Sequence, residues 1–79
     1  MEKKEKELTD FMIINQNVYF KNKTECFLSL ESNEDFFVVM TNYSNNTSSE
    51  IRYLSSIDEA NEIFEKINDK MINQGWILK

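Results

Sequence analysis

The sequence contains no histidine and no proline, and it has one cysteine and one glycine among its 79 residues. Without histidine there is no imidazole for acid–base catalysis and no histidine-containing zinc site. Cys26 has no second cysteine for an intramolecular disulfide and no histidine to activate it as a nucleophile, so we expect it in the core. No glycine-rich loop is present to hold phosphate groups. These absences predict a protein that is not an enzyme and that uses no cofactor and no metal.

Long apolar runs are also missing from the chain. No segment approaches the roughly 18 consecutive apolar residues of a membrane span. The charged start MEKKEKELTD has no apolar segment directly behind it, unlike a signal peptide. Small secreted domains usually depend on disulfides, which this chain cannot form. We therefore expect a soluble cytoplasmic protein with no membrane partner.

The amount of apolar sequence is enough for one small core. Hydrophobic residues make up 41% of the chain and aromatic residues 13%, which is typical of a folded domain rather than of a disordered chain. We expect residues 11–79 to form a single small α+β domain, because two cores need a longer chain. Residues 1–10 are almost wholly charged and predict a flexible or short helical N-terminus.

Acidic residues exceed basic residues by 14 to 9, which gives a formal net charge of −5. No basic residue lies between Lys23 and Arg52. A protein that neutralises phosphates needs clustered Lys and Arg side chains, so direct nucleic-acid binding is disfavoured. The acidic balance favours a basic partner instead.

Alternating and β-branched segments predict strands in the first two-thirds of the chain. In TECFLSLES, the side chains of Cys26, Leu28 and Leu30 share one side of a strand. FMII and VYF are separated by NQN and fit either one irregular strand or a tight hairpin. FFVVMTNY and EIRYLS indicate two further strands, with SNED as a turn and SNNTSS as a polar loop.

The stretch SSIDEANEIFEKINDKMINQGW predicts a helix with both ends marked. Ser56 with Glu59 three residues later is a capping box. Gly75 stands where a left-handed residue ends a helix, and Trp76 follows to fold back onto the core. Apolar residues recur at three- and four-residue spacings on one side, at Ile57, Ala60, Ile63, Phe64, Ile67 and Met71. The predicted fold is α+β, a three- to four-stranded antiparallel sheet packed against one C-terminal helix in two layers.

The opposite side of this helix carries a line of acids, which we call the acidic stripe and which consists of Asp58, Glu62, Glu65 and Asp69. At 100° per residue these four positions lie within about 60° of one another and extend over roughly 16 Å. Two interpretations of these acids stay open: they form a partner-binding surface, or they are ordinary solvated surface. The candidate partner-binding residues are the acidic stripe together with the acids of the base-free middle third, Glu31, Glu34 and Asp35.

The sequence LSSIDEANEIFEKINDKMINQGW resembles the last helix of WGR domains, through Asp58-Glu59-Ala60, Phe64, Lys66, Lys70 and Gly75-Trp76. The Trp-Gly-Arg tripeptide of that family does not occur in this chain. The resemblance implies an accessory module of a larger assembly that touches nucleic acid, for which the candidate residues are Lys21, Lys23 and Arg52.

In overall character the chain is similar to small acidic inhibitors of host defence from phages and mobile elements, anti-CRISPR proteins among them. It is short and acidic, it lacks catalytic groups, and its use of Asn, Lys, Ile and Glu is typical of an AT-rich genome. The similarity implies an inhibitor that blocks a basic, nucleic-acid-binding host protein such as a CRISPR effector.

A third interpretation rests on the aromatic residues, which exceed what one helix and a small sheet can cover. Some of them must lie at the surface or at an interface, where Tyr and Trp commonly act as anchors. By its position on the helix, Ile72 falls on the polar side and is a further candidate contact. A homodimer, or a homo-oligomeric structural protein, would account for these residues as well as a foreign partner would.

Overall fold

The computed structural model describes residues 11–45 and 49–79. In these ranges five strands form one antiparallel sheet in the order β4-β3-β2-β1-β5, and one helix packs across the sheet. The elements are β1 (Met12–Lys21), β2 (Thr24–Ser32), β3 (Phe37–Tyr43), β4 (Ser49–Leu54), α1 (Ile57–Asn73) and β5 (Ile77–Leu78). The predicted α+β class is confirmed. The sheet has five strands where three to four were predicted, and the chain after the helix supplies one of them by pairing with β1.

The predictions for residues 1–10 and for the middle of the SNNTSS loop lie outside the described residues. The first apolar segment is one long strand, β1, and not a hairpin. Its pairing with β2 shifts between Ile13 and Asn15, so that Ile14 is an extra residue in a β-bulge. The bulge changes the side of the sheet to which the following residues point. For this reason FMII and VYF do not belong to one alternating pattern.

A two-residue turn connects β1 to β2. Lys21 pairs with Thr24, and the two residues between them, Asn22 and Lys23, have φ angles of 49° and 67°. Two successive left-handed residues are the signature of the type I′ turn, whose twist suits a β-hairpin. Asn adopts this conformation readily, whereas Lys adopts it at a cost in free energy.

The core lies between α1 and one side of the sheet. Its buried residues come from the three central strands and from the helix: Tyr19, Cys26, Leu28, Leu30, Val39, Ala60, Phe64 and Met71. The prediction that Cys26 is a core residue is confirmed, because its side chain has no exposed surface. Tyr19, Cys26 and Tyr43 lie directly opposite one another on β1, β2 and β3.

The C-terminal end of α1 is closed in the way that the sequence predicts. At the N-terminal end the described residues show the Ser56 half of the predicted capping box, without a hydrogen bond from the Ser56 N–H to the Glu59 carboxylate. The Ser56 hydroxyl accepts hydrogen bonds from the backbone N–H groups of Asp58 and Glu59 at 3.1 and 3.3 Å. At the other end Gly75 has a φ of 94°. The backbone N–H of Trp76 donates to the Met71 carbonyl at 3.1 Å, which is the long hydrogen bond of a Schellman motif. This turn packs the half-buried Trp76 against the core, as predicted.

A polar contact ties β1 to the helix inside the apolar core. The Tyr19 hydroxyl donates to Asn68 Oδ1 at 2.6 Å and accepts from Asn17 Nδ2 at 3.1 Å. Because a buried hydroxyl needs a partner, this contact favours one position of the helix over the sheet.

Candidate functional site

All four residues of the acidic stripe are exposed, as the helical spacing predicts. The helix that carries them is held from its other side by Ala60, Phe64 and Met71, which are buried against the sheet. Four carboxylates therefore lie on an element whose two ends are capped and whose inner side is packed.

Within residues 11–45 and 49–79 no cation neutralises the acidic stripe. The ion pair found there joins Lys79 Nζ to Glu25 Oε2 at 2.6 Å, on the sheet and away from the stripe. Lys66 and Lys70 stand beside the stripe on the helix, but neither forms an ion pair with it. Like charges at i and i+4 destabilise a helix by a few tenths of a kcal/mol per pair, so a cationic partner would relieve this repulsion.

Two carboxylates of the acidic stripe also affect the pKa of a core residue, Tyr19. Burial is the main reason that the pKa of Tyr19 is raised above its ordinary value, and the carboxylates of Glu65 and Asp69 raise it further. The neutral phenol is therefore the form that the fold holds, in keeping with the hydrogen bond that its hydroxyl donates to Asn68.

The three other acids of the predicted site divide between two places. Glu34 and Asp35 are exposed in the turn between β2 and β3, which Asn33 closes by accepting the N–H groups of Asp35 and Phe36 at 2.8 and 3.0 Å. This turn lies at the end of the sheet where the helix begins, because β4 ends opposite the first residue of β3 just before α1. Both acids are thus near the N-terminal end of the stripe.

Glu31 lies on the other side of the sheet. Its neighbour Leu30 is buried beneath the helix, so the alternation of the strand turns Glu31 away from α1. Its carboxylate accepts a hydrogen bond from the Ser29 hydroxyl at 3.2 Å and is partly buried. The structure therefore does not bring Glu31 together with the acidic stripe.

The basic residues suggested for nucleic-acid contact do not form one cluster. Lys21 Nζ donates to the Gln74 carbonyl at 2.6 Å and lies 5.7 Å from the centre of the Trp76 ring, so it closes the end of the helix. Arg52 is on β4, three strands away from β1, and the residue of β1 at the same level across the sheet is Asn15. Along the strand direction Asn15 is roughly 20 Å from Lys21.

The side of the sheet away from the helix, which we call the open face, is partly apolar. Among its residues, Phe20 is 42% exposed, Ile51 53% and Tyr53 65%. Near the end of β4 the rings of Phe11, Phe36 and Tyr53 pack edge to face, with centroids 6.0 and 5.3 Å apart. A shallow groove of about 530 Å³ adjoins them. The prediction that some of the aromatic residues lie at the surface is confirmed.

The edge position of β4 was not predicted from the sequence, although EIRYLS was predicted as a strand and Arg52 as a candidate contact. It lies at the end of the sheet and pairs with β3, and five of its six residues are exposed. Glu50 and Arg52 point to the same side as the helix, because they lie opposite Thr41 and Val39 of the core side. The signal in the sequence is the alternation of opposite charges around an apolar residue in Glu50-Ile51-Arg52.

The remaining titratable groups of interest are the buried Cys26 and the partly buried Tyr43. Burial raises the pKa of the Cys26 thiol and that of the Tyr43 phenol. A protonated, fully buried thiol is a weak nucleophile. In the described ranges no group of three or more Asp, Glu, Cys or His side chains is placed to hold a metal ion. No helix in those ranges has the length and hydropathy to cross a membrane.

Comparison of the chain with protein-family models, with curated proteins and with solved structures found no match. The function is therefore inferred from the surfaces that the fold presents.

Proposed function

We propose that this is a non-catalytic binding protein that presents its acidic stripe to a basic, nucleic-acid-binding protein and inhibits that protein by occupying its nucleic-acid site. A host-defence nuclease such as a CRISPR effector is an example of a partner with a basic nucleic-acid site. One observation carries the proposal. Four exposed carboxylates stand on a packed and doubly capped helix, and no cation of the described residues pairs with them.

The spacing of the stripe suits a surface that binds a phosphate backbone. Successive carboxylates are roughly 4.5–6 Å apart along the helix axis, which is comparable to the separation of adjacent phosphates on one strand. The packed inner side of α1 holds the helix in place before binding, so little ordering entropy is lost when a partner binds. Complementary charge of this kind raises the association rate and is screened by salt.

Two neighbouring features extend the proposed surface. Glu34 and Asp35 add acids near the N-terminal end of the stripe. Ile72 is 44% exposed beside its C-terminal end, where the sequence placed it as a candidate contact. An apolar side chain among the carboxylates supports a protein partner, because protein interfaces combine an apolar anchor with a polar rim. Glu31 is on the open face and belongs to this surface only if the partner reaches around the sheet.

The test compares the protein with a variant in which Asp58→Asn, Glu62→Gln, Glu65→Gln and Asp69→Asn are combined. Each protein is immobilised, and a bacterial lysate is passed over it at roughly 50 mM and roughly 500 mM salt, a range in which screening of exposed charges becomes strong. Captured proteins are identified by mass spectrometry, and a DNA or RNA oligonucleotide is added as a competitor. The matched control is Lys66→Gln with Lys70→Gln, which neutralises helix charges of the opposite sign.

The proposal expects nucleic-acid-binding proteins to be captured at low salt, to be released at high salt and to be displaced by the oligonucleotide. The quadruple variant should lose them, whereas the lysine control should keep them. If the folded quadruple variant captures the same proteins as strongly as the parent, the stripe is ordinary solvated surface. If the oligonucleotide binds directly to the immobilised protein, the accessory-module interpretation is correct instead.

A further inference from the structure

We propose that the edge strand β4 joins two copies of this chain. The two β4 strands pair in antiparallel fashion about a two-fold axis at Ile51, and the two sheets continue into one sheet of ten strands. The proposal does not depend on the proposed function, because β4 and the acidic stripe are different surfaces.

The first step is that β4 has an edge suited to pairing. In the described sheet its neighbour is β3 on one side, and no strand lies on the other. The strand is six residues long, and its pairing with β3 is in continuous register, without a bulge. Proteins usually protect such an edge with a proline, a bulge, charged side chains or a very short strand, since unpaired N–H and C=O groups there bind other strands. The chain has no proline at all.

The second step is that the charges on β4 complement a second copy of themselves. With Ile51 opposite Ile51 of the second copy, Glu50 lies opposite Arg52 of that copy, and Arg52 lies opposite its Glu50. Centring the axis on Glu50 or on Arg52 would instead place two like charges opposite each other. Opposite charges at facing positions of antiparallel strands stabilise the pairing, and like charges destabilise it. The sequence therefore selects one register.

The third step is that the charged side chains of β4 have no ion-pair partner in the described part of a single chain. Glu50 and Arg52 are both exposed, and neither forms an ion pair within the described ranges. On the open face Ile51 is 53% exposed and would be covered by its counterpart. An interface of two short strands is small, so the association is expected to be weak and to depend on concentration.

The experiment is sedimentation velocity over a dilution series of the complete protein, from roughly 1 mM to roughly 1 μM. The parent should pass from dimer to monomer within this range. Glu50→Arg and Arg52→Glu should each weaken the dimer at least tenfold, because each places two pairs of like charges opposite each other. The double variant Glu50→Arg with Arg52→Glu should regain most of the affinity, since it restores both pairs in reverse. The matched control is Lys66→Glu, which makes the same charge change as Arg52→Glu on the helix and should leave the dimer intact.

The register is tested by oxidation of single cysteine variants. Facing residues of an antiparallel pair have Cα atoms about 4.5–5.5 Å apart, within the range of a disulfide. Ile51→Cys should therefore give a covalent dimer quickly. Arg52→Cys should not, because its sulfurs would be two residues out of register. The native Cys26 is buried and does not compete.

The proposal is overturned by a parent that stays monomeric throughout the series, or by a dimer that both single charge reversals leave unchanged. It is also overturned if the double variant is as weak as the single variants, or if Arg52→Cys forms a disulfide as fast as Ile51→Cys. Circular dichroism on each variant checks the fold, which should be kept because the three substituted side chains on β4 are exposed.

Discussion

The buried hydroxyl of Tyr19 offers a direct test of how the helix is held on the sheet. The Tyr19 side chain has no exposed surface, and its hydroxyl bonds to Asn68 of the helix at 2.6 Å and to Asn17 of β1 at 3.1 Å. Tyr19→Phe keeps the ring and its packing and removes both hydrogen bonds. Any loss of stability therefore reports on the hydroxyl alone.

The expected loss of stability depends on which buried polar groups lose a hydrogen-bond partner in Tyr19→Phe. A hydrogen bond contributes about 0.5–1.5 kcal/mol net, and a buried polar group without a partner costs about 1–3 kcal/mol. Asn17 Nδ2 is also 3.3 Å from Asn68 Oδ1, so these amides remain partly satisfied without the hydroxyl. We expect Tyr19→Phe to lower the free energy of unfolding by about 1.5–2 kcal/mol, a large share for a domain of this size.

Urea unfolding followed by the fluorescence of the half-buried Trp76 measures this loss. The matched control is Tyr53→Phe, which removes a hydroxyl from a side chain that is 65% exposed and should change stability by less than about 0.5 kcal/mol. Asn68→Leu and the double variant complete a cycle with an expected coupling of about 1 kcal/mol. If Tyr19→Phe costs no more than Tyr53→Phe, the hydrogen bonds of the Tyr19 hydroxyl do not hold the helix on the sheet.

The structure also predicts the direction in which three other changes alter the stability of the protein. Lys23→Gly should raise the free energy of unfolding by about 1 kcal/mol in the same urea assay, because glycine tolerates a φ of 67°; an equal gain from Lys23→Ala would contradict this reason. Burial raises the pKa of Tyr19, Tyr43 and Cys26, so the stability from their neutral forms is complete below the unfolded pKa values and is lost as pH rises through the folded ones. Thermal melts should therefore show Tm falling above about pH 9, and a Tm that stays constant to about pH 12 would refute the account. Phe64→Ala removes a side chain that is 2% exposed and should cost about 3–5 kcal/mol, visible as unfolding by circular dichroism; a melt like that of the parent would exclude Phe64 from the core.

The helix could be predicted from the sequence because its signals are local. The cap at Ser56, the left-handed Gly75 and the spacing of the apolar residues all act within one or two turns of the chain. The same spacing predicted that the acidic stripe is exposed, since a helix with one packed side has its opposite side in solvent. Neither inference required knowledge of the sheet.

The sheet was predictable only in part, because its details depend on partners that are distant in sequence. The bulge at Ile14 is defined by the pairing of β1 with β2. The turn at Asn22 and Lys23 contains no glycine, so the usual hairpin signal is absent. β5 is two residues long and is a strand because β1 offers it an edge. A pattern along one segment does not contain this information.

The candidate site shows the same limit. Glu31 and the acidic stripe are similar as sequence features, but the strand alternation places Glu31 on the open face. The self-complementary charges of β4 indicate pairing with a second copy when β4 is known to be an edge strand. Placement of a residue on one side of an element could be predicted, whereas placement of two elements relative to each other required the fold.

The two proposed surfaces can be used at the same time, and the geometry of the sheet explains why. A two-fold axis that relates antiparallel edge strands stands perpendicular to the sheet, so it keeps both helices on the same side. The helix packs on β2 and β3 more than on β4, so the second copy would extend the sheet beside the helix and leave its outer side uncovered. A dimer would therefore present two acidic stripes to one side. Charge reversal on β4 should then weaken capture of a basic partner only where that partner spans both stripes, whereas neutralising the stripe should abolish capture and leave the dimer unchanged.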